Sequence, residues 1–200
     1  MNAQSEESDE QSQSARAKRL PITTTRLVLR LPEPEDAKPF TEVANNMAIA
    51  SQMSRLPHPY SEKNAESWIA ASRANADPQK VSLVITLKDG TIAGATGIAP
   101  MDNGEPEISY FIGQSHWGKG LATEAAQAII DHAFAALEVE SIVGRCAAAN
   151  RGSRRVLKKC GFQYSCPGMC DCAALNASVA SEEFMLERAV WVSLKQWGAA

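Results

Sequence analysis

Residues 113–125 read GQSHWGKGLATEA, and the chemistry assigned to this stretch decides the fold of the whole chain. Its first eight residues look like a Walker A loop: a glycine, four residues, then Gly-Lys. In such a loop the next residue is a Ser or Thr whose hydroxyl ligates magnesium, and here Gly120 stands in that place. Thr123, the next hydroxyl, would sit about 4.5 Å further along the helix axis. Nothing later in the chain resembles an apolar strand ending in a metal-binding Asp on a parallel sheet. ATP is therefore a poor fit. The physical property that survives is general: a glycine-rich turn opening a helix presents unpaired N–H groups and a positive dipole end, which is a good anion site.

The flanking segments give this turn its context. VSLVITLK is followed by Asp89-Gly90, a strong hairpin signal, and then by TIAGATGIAPM. MDNGEPE makes a second turn before EISYFIG, so the three strands predict an antiparallel meander that runs into the loop. After the loop, Ala122, Ala126, Ile129, Ile130, Ala133 and Leu137 recur at helical spacing. IVGRCAAAN reads as a strand, NRGSRRVLKKCG as a short helix ending at Gly161, FQYS as a strand start and EEFMLERAVW as a last strand. Upstream, ITTTRLVLRLP is a strand, and PEDAKPFTEVAN opens a helix on Pro34 with Glu35 and Asp36 in its first turn. SEKNAESWIAASRA is a second helix with Ser61 as its N-cap. The stretch between them, with Pro57 and Pro59, reads as a loop, and His58 and Tyr60 read as ordinary loop residues before the alternative that they line a substrate entrance. This order predicts an α/β fold with a mixed, mostly antiparallel sheet of about seven strands flanked by helices.

The bulk properties are consistent with one domain. The chain has 200 residues, of which 44% are hydrophobic, and a formal net charge of −3. Residues 1–20 are acidic and polar and are expected to be a disordered tail, with residues 21–200 forming the domain. The charge gives no general attraction to nucleic acid, and no apolar run approaches the roughly 18 residues that span a bilayer. The polar, acidic start is unlike a signal or transit peptide, so a cytoplasmic location is expected. Five cysteines, an odd number, argue against a disulfide framework. The cluster CPGMCDC lacks zinc-site spacing and is read as free thiols in a loop, with no metal. The basic run of Arg151, Arg154, Arg155, Lys158 and Lys159 has no aromatic partners for base stacking and is read as a solvated face.

Three segments carry a resemblance. Gly120 and Ala122 within Trp117-Gly118-Lys119-Gly120-Leu121-Ala122 match the glycine motif of the GNAT superfamily of N-acetyltransferases. Trp117 departs from the usual Arg or Gln, as it does in one branch. Asn150, Ser153, Val156, Leu157, Gly161 and Phe162 follow the superfamily's second motif, and TTTRLVLRLPEPEDA is similar to the opening of that branch. The branch resembles the ribosomal-protein N-terminal acetyltransferases.

The resemblance implies a splayed central strand pair and acetyl-CoA as co-substrate. It implies that Trp117, Gly118, Lys119, Gly120, Leu121, Ala122 and Thr123 cradle the pyrophosphate. Phe111 and Ile112 would lie nearest the thioester, and Asn150 would reach the pantetheine arm or serve as a helix N-cap. Ser153 is a candidate for protonating the departing thiolate, or a first-turn helix serine. The tyrosine that many members use falls at Leu157. Glu107 is the candidate general base, with Glu105 as the alternative, and both also read as turn charges. The implied activity is transfer of an acetyl group to a primary amine by direct attack in a ternary complex. A protein N-terminus is the favoured acceptor, a small-molecule amine the other, and a homodimer is open. A non-catalytic acyl-CoA-binding sensor or scaffold is the alternative from another class.

Overall fold

The computed structural model describes residues 20–198 apart from Pro78 and Glu138, so residues 1–19 of the expected tail lie outside the described residues. The chain runs through β1 (Ile22–Thr23), β2 (Leu27–Arg30), a 3-10 turn (Pro34–Asp36), α1 (Ala37–Ala44), α2 (Met47–Ala50), α3 (Glu62–Arg73), β3 (Val81–Leu87), β4 (Ile92–Pro100) and β5 (Pro106–Ile112). It continues through α4 (Leu121–Ala136), β6 (Ser141–Ala147), α5 (Arg151–Lys159), β7 (Gln163–Cys172), β8 (Ala177–Glu187) and α6 (Arg188–Gly198). The eight strands form one sheet in the order β1-β2-β3-β4-β5-β6-β8-β7, antiparallel except at β5–β6. The mixed α/β architecture read from the sequence is thus the observed one, with an additional strand.

The period-2 alternation of the strands assigns each face of the sheet its own cover. Leu83, Ile85, Ile108 and Ile112 pack with Ala125, Ile129 and Ala133 of α4. The small residues of α4 allow this helix to lie close on the sheet. On the opposite face Val84, Ile92 and Ala95 pack with Phe40 of α1 and Ile69 of α3. The Phe40 ring stacks on Trp68, with centroids 4.5 Å apart.

The central strands part early. β4 and β5 pair from Gly94↔Ile112 to Pro100↔Pro106, whereas β5 and β6 pair only at Glu107↔Val143 and Ile108↔Gly144. Beyond Ile108 the β6-facing edge of β5 is therefore unladdered, which is the expected splay. Gly144 stands at the fork because a Cβ there would come within 2.5 Å of Leu157 Cδ2. Its absence lets α5 seat against β6.

Three expectations need correcting. The cysteine-rich stretch 166–172 is not a loop: it belongs to β7, the outermost strand, paired with β8. Pro167 is tolerated because an edge strand has one side without a ladder, and the register shifts at Tyr164/Cys166. The last strand ends at Glu187, and Arg188 starts a helix. The Arg188 guanidinium donates to the carbonyls of Phe134, Leu137 and Val139, closing the C-terminus of α4 with a tertiary contact that local pattern does not reveal. Tyr60, read as an ordinary loop residue, is buried, and its ring meets Phe40 edge-on.

A half-buried ion pair anchors the first helix to the sheet. Arg30 donates to both Asp36 carboxylate oxygens at 2.7 and 2.8 Å, and the Glu33 N–H adds a third bond at 2.7 Å. Burial alone would raise the Asp36 pKa, but the Arg30 and Glu33 hydrogen bonds and the Arg30 charge outweigh it and hold the carboxyl below its usual range. A depressed folded-state pKa contributes stability that is present above the unfolded value and is lost as pH falls through the folded one. Asp36→Asn is therefore expected to cost about 2 kcal/mol at neutral pH. It should also flatten the fall in unfolding free energy below about pH 4. Urea titrations at a series of pH values check this; an unchanged acid slope would mean that the pair carries no stability.

Candidate active site

The loop after β5 is built by local bonds. Gly113 N–H donates to Ala93 O, a single 3-10 turn follows, and the Trp117 indole N–H returns to Ile112 O at 2.6 Å. Gly118 and Gly120 have φ of +76° and +77°, a region that L side chains resist. Gly120 is the N-cap of the 16-residue α4, and the first intrahelical bond runs from Glu124 N–H to Gly120 O. The N–H groups of Leu121, Ala122 and Thr123 therefore lack helical partners.

A network from the turn between β1 and β2 holds this loop. Arg26 pairs with Glu124 at 2.6 Å and donates through Nη1 to Lys119 O at 2.7 Å. Glu124 also accepts from the Thr24 hydroxyl and the Arg26 N–H. Burial would raise its pKa, but these bonds and the Arg26 charge hold it below the usual carboxylate range. The carbonyl side of the loop is thus tied to the β1–β2 turn, and the N–H groups at the start of α4 face away from this network. Lys119, whose expected roles are a charge for the phosphates or a solvated loop lysine, does not line the cavity: its ammonium is turned back onto Ser115 O at 3.0 Å.

A cavity of about 1110 Å³ runs through the splay. Every site residue put forward from the sequence lines it except Lys119 and Glu105. Glu105 lies in the turn before β5, where its side chain accepts from Asn103. The basic run, expected to be a solvated face with one side chain near the CoA 3′-phosphate, contributes three side chains to the cavity lining, Arg151, Arg155 and Lys159, while Arg154 pairs with Glu182 at 2.7 Å.

Two hydroxyls meet where β5 and α5 approach. The Asn150 side chain accepts from Ser153 N–H at 2.9 Å, so it is the N-cap of α5 while also lining the cavity. Ser153 Oγ shares a hydrogen bond of 2.9 Å with the Tyr110 phenol. Burial pushes the Tyr110 pKa well above its ordinary value, more than the Ser153 bond lowers it, so the phenol keeps its proton at neutral pH. Tyr110 was not foreseen. The available signal was its alternation with Ile108 and Ile112, which turns it to the face that α5 covers. Two cysteines lie close by, but burial pushes the Cys146 thiol up and the Cys160 thiol to about 12, so neither is an activated nucleophile.

Glu107 occupies the opposite face of β5. Its two oxygens accept from Arg145 Nε and Nη2 at 2.8 and 3.0 Å. Tyr60 also lines this side, with burial raising its phenol to about 12. Among the described residues no group of His, Cys, Asp and Glu could hold a metal ion, and no helix is long and apolar enough to cross a membrane.

A helix N-terminus with N–H groups that lack helical partners, a cationic flank and an unladdered strand edge border one cavity, and the comparisons identify the class. The acetyltransferase (GNAT) domain profile matches residues 26–163, and the chain belongs to that family. It is 30% identical to the uncharacterised N-acetyltransferase p20 of Bacillus licheniformis over 146 residues, 71% of this chain and 82% of that one. RimL, a ribosomal L7/L12 α-N-protein acetyltransferase solved with coenzyme A, shares the fold with a TM-score of 0.70 at 16% identity, covering 84% of this chain and 97% of RimL. Spermidine N-acetyltransferase from Vibrio cholerae, solved with CoA and spermine, gives 0.71 at 19% identity, covering 84% of this chain and 99% of that one. The chain is thus an N-acetyltransferase whose acyl donor is acetyl-CoA.

Proposed function

We propose that the chain acetylates α-amines, a peptide or protein N-terminus before a small-molecule amine, by direct attack within a ternary complex. The observation that carries this reading is the state of Glu107. Among the described residues it is the only carboxylate lining the cavity, and Arg145 occupies both of its oxygens. A lysine amine, with pKa about 10.4, is only about a thousandth neutral near pH 7.5, whereas an N-terminal amine, near 8, is substantially neutral. The second kind of acceptor needs little help from a base, which suits a site whose carboxylate is already engaged. RimL acts on a protein α-amine and the Vibrio enzyme on a polyamine; the engaged carboxylate favours the first parallel.

The remaining roles follow from position. Acetyl-CoA, when bound, supplies an acetyl group already activated as a thioester. The N–H groups after Gly120, with Arg151, Arg155 and Lys159, are placed to hold its phosphates. The unladdered edge of β5 offers N–H and C=O groups to the pantetheine amides, and a fixed N–H there can stabilise a developing oxyanion. Ser153, backed by Tyr110, donates a proton to the departing sulfur. Glu107 and Arg145 position the incoming amine.

A peptide bearing both a free N-terminus and an internal lysine tests the reading. Mass spectrometry after incubation with acetyl-CoA at pH 7.5 is expected to place at least about ten acetyl groups on the α-amine for each on the lysine. Preferential lysine acetylation would overturn it.

A further inference from the structure

The charges lining the cavity are distributed unevenly, and their distribution bears on the acceptor. Ile108 faces α4, so its neighbours Glu107 and Phe111 face the side covered by α1 and α3. Arg145 shares that side through its pair with Glu107. Lys80 precedes Val81, which faces α4 and pairs with Ile98 next to Ala99, the partner of Glu107, so Lys80 joins this side, and Arg55 lines the same cavity from the segment before Tyr60. Both side chains are exposed, and among the described residues neither has a carboxylate partner. Arg145 itself is only partly used: it engages Glu107 through Nε and Nη2, and Nη1 has no hydrogen-bond partner among the described residues. Glu183 flanks Arg145 from β8 but does not line the cavity. This end therefore presents three cations and one carboxylate, and that carboxylate is paired.

These cations are not needed by the donor. Its phosphates have the α4 N-terminus and the α5 cations beside the loop. The surplus is also not a reflection of overall charge, since the chain carries a formal −3. A cationic pocket end without a free carboxylate repels ammonium groups, favours an amine in its neutral form and attracts carboxylate or phosphate.

We infer that the acceptor is an amine carrying an anionic group close to it, held by Arg55, Lys80 and Arg145. This rests on the α-amine reading above and names its substrate class. A polycation such as a polyamine is the wrong charge for this pocket end. The same chemistry is offered by a peptide with acidic residues after its N-terminus and by a small amine bearing a phosphate.

The test uses the full chain and two readouts. Tetrapeptides Ser-Asp-Glu-Ala, Ser-Gln-Gln-Ala and Ser-Lys-Lys-Ala, with phosphoethanolamine and spermidine, are compared as acceptors. The acidic peptide is expected to exceed the basic one about tenfold in kcat/KM, with the ratio shrinking as salt is added. The double variant Arg55→Glu, Lys80→Glu should remove or reverse that preference with the KM for acetyl-CoA unchanged. Phosphoethanolamine turnover above that of the acidic peptide would uphold the anion-binding pocket end and assign the anion to a small molecule, against the peptide N-terminus of the reading beneath it. Preference for the basic peptide or spermidine, or indifference to the charge reversal, would overturn it. Fluorescence anisotropy of labelled peptides on the CoA-loaded protein separates this inference from the reading beneath it. Charge-dependent binding without acetylation would uphold the cationic pocket end and sink the α-amine activity; charge-independent binding would sink the inference whatever the turnover.

Discussion

Gly120→Val is expected to weaken acetyl-CoA binding at least about a hundredfold, the equivalent of losing one or two charge-assisted hydrogen bonds. The reason is conformational rather than steric. A Cβ at Gly120 would meet only Arg26 Nη2, at 3.6 Å, which is ordinary contact. Its φ of +77°, however, is a region that a β-branched residue enters only at a cost of about 1–3 kcal/mol. The loop would relax to a negative φ, and the N–H groups of Leu121, Ala122 and Thr123 would no longer converge on one anion. Gly104→Val is the matched control. It has φ of +83°, nothing within 4 Å of its would-be Cβ, and lies in the β4–β5 turn away from the cavity lining. Calorimetric titration with acetyl-CoA should find Gly104→Val near wild type and Gly120→Val without measurable heat, with both melting cooperatively. Equal loss in both variants would attribute the effect to stability, and retained affinity in Gly120→Val would remove the loop from the phosphate site.

The glycine turn was legible because its message is local: two glycines, a helix behind them and a strand in front are all within a dozen residues. The meander was legible for the same reason, through Asp89-Gly90 and strand alternation. What failed depended on distant partners. β7 is a strand because β8 pairs with it; alone, CPGMCDC has the Pro and Gly of a turn. Arg188 is helical and turned toward α4 because carbonyls about fifty residues earlier need donors. The site divides along the same line. Asn150 and Ser153 sit three residues apart and were found together, whereas Tyr110 reaches Ser153 across 43 residues and was missed. Glu107 was named as a carboxylate, but its engagement depends on Arg145, 38 residues away, and that pairing changes what Glu107 can do.

The Tyr110–Ser153 pair gives the second large expected effect. Ser153→Ala should lower kcat about a hundredfold, the lower end of what a positioned acid contributes, because a thiolate with pKa near 8.5 is already a fair leaving group. The acetyl-CoA affinity should stay within a few-fold, since the loop and the α5 cations are untouched. The helix start is also spared: Asn150 caps α5 through the Ser153 N–H, which alanine retains. Tyr110→Phe keeps the ring packed and removes only the hydroxyl bonded to Ser153 Oγ at 2.9 Å. It should cost about tenfold in kcat, through loss of the hydrogen bond that orients the serine hydroxyl. If the tyrosine acts only through the serine, the double variant should be no slower than Ser153→Ala alone. Single-turnover kinetics with a saturating peptide acceptor would read this directly. Multiplicative losses would show two independent proton donors, and an unimpaired Ser153→Ala would show that the sulfur leaves without an acid and that the hydroxyl pair serves packing between β5 and α5.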